Sequence, residues 1–304
     1  MKRVTLNQIF SNRKRDFMKI VTDCAADMSA SELEALEIAQ APLFIQFPEG
    51  EVNSADISAD DFYNRLEAMR PAVPTTAQPS SGLFEELYRK LAETSKEIFS
   101  IHISSGLSGT LNSAQVGGEQ AKDAANVHFW DTLTLSGGQR FQVLAAAFGQ
   151  KAGWTMEKIQ ERMTAIREQT EVIYTLETLE YLARGGRIGR VQALLGSMLK
   201  LKPVIHVSHE DGKYSTVSKA RTIPAALESL TDYLVGIYKK TPLWVNVLHG
   251  RFQQGAEMLS EMVEERLNVA KLEVNRISPV LGVHTGPGIV GCAVVPMKLM
   301  EDLI

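Results

Sequence analysis

The chain has 304 residues, of which 44% are hydrophobic and 22% charged, and its formal net charge is −4 at pH 7. The length and apolar content suit a globular protein with a sizeable core, in two domains or one large one. The acidic balance argues against a general nucleic-acid-binding protein, because such a protein needs a basic face.

Residues 1–17 form a basic stretch without the apolar core of a secretion signal, and we predict them to be a disordered extension. No apolar run along the chain approaches the ~18 residues that a membrane helix needs. The two cysteines, Cys24 and Cys292, predict neither a disulfide framework nor a metal site. They favour a reducing cytoplasm.

Alternation of apolar strand-like runs with amphipathic helical runs predicts an α/β protein with mainly parallel sheets. In the first half, predicted strands occupy residues 19–22, 43–47, 98–103 and 127–130. Predicted helices open at the capping residues Ser29 and Ser58, continue with an apolar face over 83–91, and include an alanine-rich run over 133–151. Asp23 and Asp27 follow the first strand, and we interpret them as caps of the next helix rather than metal ligands.

Two segments of the first half carry more hydroxyl groups and glycine than a packed core requires. Residues 73–81 present Thr75 and Thr76 between two prolines, which predicts an extended loop. Residues 104–110, Ser-Ser-Gly-Leu-Ser-Gly-Thr, lie between a predicted strand and a predicted helix. This composition favours either a cradle for a small anionic group or a simple helix cap.

The second half repeats the alternation of strands and helices. Predicted strands occupy residues 172–175, 203–208, 214–220, 244–249, 272–277 and 289–295. Predicted helices occupy 155–169, with Thr155 as N-cap, and 176–183, 191–199, 225–238 and 253–267. Asp211-Gly212 predicts a hairpin turn between two of the strands. We place the domain boundary so that one domain spans 18–160 and the other 161–304.

Charged and glycine-rich segments also mark the second half. Arg184, Arg187 and Arg190 surround Gly185-Gly186, which indicates either a solvated helix end or a contact with a phosphate or an acidic partner. His284 lies in a Gly/Pro-rich segment that we interpret as a tight loop. There the imidazole can face a ligand and form a hydrogen bond or take a charge near neutral pH.

Five segments, taken together and in order, resemble the DegV family of bacterial fatty-acid-binding proteins, which includes the FakB subunits of fatty acid kinase. They are residues 19–27 (KIVTDCAAD), 75–80 (TTAQPS), 104–110 (SSGLSGT), 179–188 (LEYLARGGRI) and 284–288 (HTGPG). The resemblance runs from about residue 18 to the C-terminus. It implies two α/β domains with a fatty acid between them and its carboxylate near the surface.

The resemblance also implies the residues that hold the carboxylate. They are Thr76, Ser108 and His284, with Ser105 as an alternative donor, the backbone N–H of Gly109, and Thr285 beside the histidine. It further implies that Arg187 and Arg221 dock a separate ATP-dependent fatty acid kinase, which forms the acyl phosphate. The expected protein is therefore a carrier without catalytic residues, cofactor or metal. We expect a cytoplasmic monomer that contacts membranes transiently for lipid exchange.

Two alternatives remain open from the sequence. A serine hydrolase would use Ser108 as nucleophile, His284 as base and an aspartate such as Asp131 to orient it, although the Gly-x-Ser-x-Gly motif is absent. A carrier or sensor of another lipid, without a kinase partner, would share the same binding residues. The sequence determines neither the chain length nor the unsaturation of the ligand.

Overall fold

The structure is a computed structural model that describes residues 18–197 and 201–303. Its strands are β1 (Lys19–Asp23), β2 (Ile38–Ala41), β3 (Phe44–Phe47), β4 (Gly50–Asn53), β5 (Thr75–Ala77), β6 (Glu97–His102), β7 (Asn126–Asp131), β8 (Glu171–Thr175), β9 (Lys202–Val207), β10 (Tyr214–Ala220), β11 (Leu243–His249), β12 (Val269–Arg276) and β13 (Val290–Pro296). Its helices are α1 (Ala30–Ala35), α2 (Ala59–Ala68), α3 (Ser81–Leu91), α4 (Thr110–Gln120), α5 (Ser136–Lys151), α6 (Met156–Gln169), α7 (Glu180–Arg184), α8 (Ile223–Tyr238), α9 (Gln253–Arg266) and α10 (Pro279–Thr285). The predicted extension 1–17 and the end of the predicted helix 191–199 lie outside the described residues, while Gly189–Ser197 forms a 3-10 helix.

The first sheet is parallel throughout, with strand order β2-β1-β6-β7. The mixed α/β fold predicted from the sequence is confirmed. The caps predicted for the helices are also present: Ser29 and Glu32 form a capping box on α1, and Ser58 and Thr155 accept hydrogen bonds from the first turns of α2 and α6.

The second sheet is mainly antiparallel, and the prediction of a mainly parallel sheet is wrong for this half of the chain. Its strand order is β10-β9-β8-β13-β11-β12, in which β11 and β12 are the parallel pair. Strands β9 and β10 form the hairpin that Asp211-Gly212 predicted. The error arises because alternating strands and helices do not fix the direction in which each strand returns to the sheet.

A third sheet, of order β4-β3-β5, was not predicted as a sheet. The sequence indicated β3 but gave too little pattern for β4 or β5, since β4 is polar and exposed and β5 has three residues. This small sheet packs with α2 and α10 around a separate apolar cluster that contains Ile45, Phe62, Leu66 and Val283. The small sheet thereby places β5 next to α10, which lies near the C-terminal end of the chain.

Helix α5 lies between the two larger sheets, with contacts to β1 on one side and to β8 and β13 on the other. Its small residues allow this close approach. A Cβ at Gly137 would lie 2.6 Å from the Cβ of Ala293, and one at Gly138 would lie 2.6 Å from Val172 Cγ2. One continuous apolar cluster therefore spans both sheets. The proposed domain boundary near residue 160 falls within α6, which packs against α5 and β13.

A buried polar network fixes the C-terminal edge of the first sheet. Asp23 accepts hydrogen bonds from His102 Nδ1 at 2.9 Å and from the backbone N–H groups of Ala25 and Ile103 at 3.0 Å each. His102 Nε2 lies 2.7 Å from Ser100 Oγ. Asp23 thus caps the short 3-10 helix Cys24–Ala26, as predicted, and both side chains of the Asp23–His102 pair are fully buried.

Asp27 joins the two halves of the chain. Its carboxylate accepts hydrogen bonds from the Ser136 hydroxyl, at the start of α5, and from the Ser278 N–H, just before α10, at 2.7 Å for the latter. Removal of this carboxyl group from water raises its pKa to about 6, although the two hydrogen bonds by themselves lower the pKa. Within the described residues, no group of three or more histidine, cysteine, aspartate and glutamate side chains is placed to hold a metal ion.

The raised pKa of Asp27 predicts that the folded protein becomes more stable as the pH falls. The ionised carboxylate destabilises the folded state above about pH 6. This destabilisation disappears as the pH falls toward 3.8, the ordinary pKa of an aspartate. We expect Asp27→Asn to remove this dependence. Relative to the variant, the unsubstituted protein should gain up to about 1 kcal/mol of unfolding free energy between pH 7 and pH 5.

Urea unfolding of both proteins at the two pH values measures this difference. Asp123→Asn is the matched control, because the hydrogen bond from Arg89 lowers the pKa of that exposed carboxyl group and its contribution to stability therefore stays constant between pH 7 and pH 5. A stability gap between the Asp27 variant and the unsubstituted protein that stays constant with pH would contradict the prediction.

Candidate functional site

Thr76 and His284, which are 208 positions apart in the sequence, are in direct contact: Thr76 Oγ1 lies 2.8 Å from His284 Nε2. Both local predictions were wrong. Thr76 lies in strand β5, where it pairs with Ile45 of β3, and His284 lies in the last turn of α10. The prolines at 74 and 79 led to the prediction of an extended loop at Thr76, and the glycines and Pro287 led to that of a tight loop at His284. Helix α10 instead continues through His284 and ends with Gly286 as its C-cap.

The His284 side chain is buried and uncharged at neutral pH. Burial, together with the positive charge of Arg187, lowers the pKa of its imidazole to about 4. Its Nδ1 atom has no hydrogen-bond partner within residues 18–197 and 201–303. The expected change of charge near neutral pH is therefore excluded, and His284 acts as a neutral hydrogen-bonding group.

Gly185 provides the space for this imidazole. A Cβ atom at position 185 would lie 2.1 Å from His284 Nδ1, whereas the backbone there has the ordinary helical angles φ −75° and ψ −7°. From the sequence, this glycine was predicted only as part of the arginine segment 184–190. The Gly185-Gly186 pair was the available signal, since adjacent glycines often mark a close backbone approach.

The 104–110 segment lies beside the continuation of β5. Gly109 is the N-cap of α4, and a Cβ there would lie 2.5 Å from Nε2 of Gln78, two residues after Thr76. Ser108 Oγ lies 2.8 Å from Thr110 Oγ1 and accepts from the Thr110 N–H at 3.3 Å. Ser105 is exposed, and its N–H donates to Asp131 at 3.2 Å. The Ser108 hydroxyl is therefore bonded to the first residue of α4, and binding of an anionic group by this segment stays a prediction.

Arg187 connects this segment to the Gly185 turn. Its guanidinium donates to the carbonyl oxygen of Gly185 at 2.7 Å and more weakly to that of Leu107 at 3.4 Å. Arg187 is half-buried, in contrast with Arg221, which is exposed after β10. The two arginines named as docking residues thus have different surroundings: Arg187 adjoins the imidazole, while Arg221 is on the open surface.

A narrow apolar crevice begins at Thr285, next to His284. Its volume, measured for the centres of water-sized spheres, is about 30 Å³. Its lining includes Leu135, Val172, Tyr174, Tyr214, Leu248, Leu281, Ile289 and Cys292. The Thr285 hydroxyl donates a hydrogen bond to the Leu281 carbonyl oxygen in the same helix, at 2.9 Å. This hydroxyl is therefore already bonded within α10.

The hydrolase alternative requires contacts that differ from those observed. Nε2 of His284 faces Thr76, Ser108 Oγ faces Thr110, and Asp131 accepts from the backbone N–H groups of Ser105 and Leu133. A general base works best with a pKa near the operating pH, and the pKa of His284 is about 4. The geometry therefore does not assemble Ser108, His284 and Asp131 as a catalytic triad.

The fold and the site define a class of α/β protein in which a neutral imidazole contacts the Thr76 hydroxyl, and the residue after it, Thr285, lines an apolar crevice. Within the described residues, none of the helices has the length and apolar character to cross a membrane.

Residues 18–297 match the model of a family described as uncharacterised proteins of the DegV family. A DegV domain-containing protein from Deinococcus radiodurans is 36% identical over 280 residues, which is 91% of this chain and 95% of the relative. The chain belongs to the DegV family.

Solved structures agree with this membership. A fatty-acid-binding DegV family protein from Thermus thermophilus superposes with a TM-score of 0.85 at 28% identity, covering 92% of this chain and 99% of the other. A stearic-acid-binding protein from Eubacterium ventriosum gives a TM-score of 0.83 at 26% identity, covering 93% of this chain and 99% of the other.

Proposed function

We propose that this protein binds a long-chain fatty acid in the apolar crevice and presents the carboxylate to a separate ATP-dependent kinase, which forms an acyl phosphate. The observation that carries the proposal is the Thr76–His284 contact at the end of the crevice where Thr285 begins its lining. Fatty acid binding by the related proteins from Thermus thermophilus and Eubacterium ventriosum supports the ligand class.

The two parts of a fatty acid match the two parts of the site. Burial of each methylene contributes about 0.8 kcal/mol, so a ~16-carbon chain gains on the order of 12 kcal/mol before the loss of conformational freedom is subtracted. The crevice is narrow, so we infer that its side chains move apart when the acyl chain enters. The head group then mainly sets the orientation of the ligand.

Neutral donors suit a carboxylate that must later react. Hydroxyl groups of Thr76 and Ser108, the N–H of Gly109 and an N–H of the neutral His284 imidazole can form charge-assisted hydrogen bonds to it. The Arg187 guanidinium donates instead to the carbonyl oxygens of Gly185 and Leu107. A carboxylate without a bidentate arginine partner keeps an oxygen free to attack the γ-phosphoryl group.

The phosphoryl transfer itself we assign to the partner kinase. The sequence has no Gly-x-x-x-x-Gly-Lys-[Ser/Thr] motif for wrapping a nucleotide phosphate. We propose that the exposed Arg221 and the adjoining Arg187 contact this kinase. We further propose a cytoplasmic monomer that exchanges its lipid during transient membrane contact.

We expect the double substitution Thr76→Ala and Ser108→Ala to lower fatty acid affinity at least about a hundredfold and to reduce acyl-phosphate formation further. Each of the two hydroxyl groups donates a hydrogen bond to a charged group, and each bond contributes about 1.5–3 kcal/mol. Native mass spectrometry of protein equilibrated with palmitate measures binding. Hydroxylamine trapping in the presence of the kinase and ATP measures the acyl phosphate.

Arg221→Ala is the control that separates binding from presentation, since it should retain palmitate but slow the kinase reaction. If the double variant binds and reacts like the unsubstituted protein, the carboxylate site is wrong. Retention of fatty acid with no acyl phosphate from any fatty acid kinase would favour a carrier or sensor without a kinase partner.

A further inference from the structure

A second and larger cavity lies beside the apolar crevice. Its volume, measured for the centres of water-sized spheres, is about 670 Å³. It is bounded by α1 and by the end of β12. Its lining combines apolar groups of Cys24, Met28 and Leu33 with charged side chains such as Arg140 and Glu273. We call it the outer cavity, because none of the residues assigned to carboxylate binding lines it.

A thin wall separates the outer cavity from the crevice. Asp27 lines the outer cavity, Ser136 lines the crevice, and the Ser136 hydroxyl donates a hydrogen bond to the Asp27 carboxylate. Ile277 lines both spaces. The backbone next to Ile277 is also tied to this wall, because the Ser278 N–H donates to Asp27 at 2.7 Å.

The wall stands at the end of the crevice that is far from the carboxylate site. Thr285, beside His284, lines the crevice; so does Leu281 one turn earlier in α10, and Ile277 just before the helix begins. With a rise of 1.5 Å per residue, α10 spans about 9 Å from Thr285 to Pro279, and Ile277 lies two residues before its start. A carboxylate held at His284 therefore directs the methyl end of the acyl chain toward Ile277.

We propose that the wall formed by Asp27, Ser136 and Ile277 sets the longest acyl chain that the protein accepts. This inference rests on the proposed function. Each methylene that finds apolar space strengthens binding about fourfold, whereas a methylene that reaches the wall meets a hydrogen-bonded carboxylate. Opening the wall gives longer chains access to the apolar groups of the outer cavity.

The test is the longest fatty acid that the protein retains from an equimolar mixture of saturated chains of increasing length. Ser136→Gly combined with Ile277→Ala removes both sides of the wall. Glycine suits position 136 because the backbone there has φ +53°, in the left-handed region. We expect the longest retained chain, identified by mass spectrometry after extraction, to increase by about two carbons or more, at about fourfold in affinity for each added methylene.

Leu281→Ala is the matched control for the Ile277 substitution, since it also removes three carbons from the crevice but leaves the wall intact. It should weaken binding at every length without shifting the limit. Ser136→Gly alone provides a milder variant if the double variant does not fold, and we expect a shift in the same direction.

An unchanged limit in the folded wall variants overturns the inference, as does an equal shift in Leu281→Ala. In both cases fatty acid binding by the unsubstituted protein leaves the proposed function standing. Failure of the unsubstituted protein to retain any chain overturns the proposed function and the role of the wall together.

Discussion

Gly185→Ala is expected to lower fatty acid affinity at least tenfold while the protein stays folded. The backbone at this position accepts alanine, since φ is −75° and ψ is −7°, but the new Cβ would lie 2.1 Å from His284 Nδ1. The buried imidazole must move away and lose its 2.8 Å contact with Thr76. The displaced imidazole also loses its proposed hydrogen bond to the ligand carboxylate, and a hydrogen bond to a charged group contributes about 1.5–3 kcal/mol, or tenfold to more than a hundredfold in affinity.

Gly236→Ala is the matched control for this substitution. Gly236 lies in α8, and a Cβ there would meet no heavy atom within 4 Å. That variant should bind palmitate normally and gain up to about 1 kcal/mol in stability from the helix propensity of alanine. Isothermal titration with palmitate and thermal unfolding compare the two variants. Equal affinity in both would show that the position of His284 does not govern binding.

His102→Ala is expected to reduce the free energy of unfolding by about 3–5 kcal/mol, the range for truncating a large buried ring to alanine, because it also removes buried hydrogen bonds. His102 and Asp23 are fully buried and hydrogen-bonded at 2.9 Å. Truncation leaves Asp23 with fewer donors and also creates a cavity beside Phe84, whose ring centroid lies 5.2 Å from the imidazole. This is a large share of the 5–15 kcal/mol by which proteins of this kind are stable.

His128→Ala, on the neighbouring strand β7, tests whether burial is the cause. His128 also pairs with a carboxylate, Glu97 at 3.0 Å, but the side chains of that pair are 37% and 45% exposed. We expect a loss below about 1 kcal/mol, as for most surface pairs. Urea unfolding followed by circular dichroism measures both variants, and losses of similar size would refute the explanation from burial.

The sequence predicted the helices more closely than the sheets. Caps such as Ser29, Ser58 and Thr155 are local signals, because the side chain bonds to a backbone group three residues away. Strand direction in the second sheet depends on partners far along the chain. The same is true of β5, whose three residues form a strand only because β3 offers them an edge.

The site shows the same division. Thr76 and His284 were identified from short motifs, and the structure brings them into contact, although each local conformation was mispredicted. Gly185, Gln78 and the Asp27–Ser136 contact were not assigned to the site. Their roles depend on which atoms of distant segments lie next to them, and a single sequence does not show which segments come into contact.

The sequence by itself determined the fold class, the family and the chemical types of the candidate carboxylate-binding groups, because hydrophobic periodicity, capping and ordered motifs are local patterns. Only the tertiary structure decided the protonation of His284, the commitment of the Thr285 hydroxyl to its own helix, and the wall between the two cavities. Each of these depends on burial and on contacts between segments distant along the chain. Burial changes the free energy needed to ionise a side chain and decides which hydrogen-bond partners it can reach. Both are set only when the segments pack together.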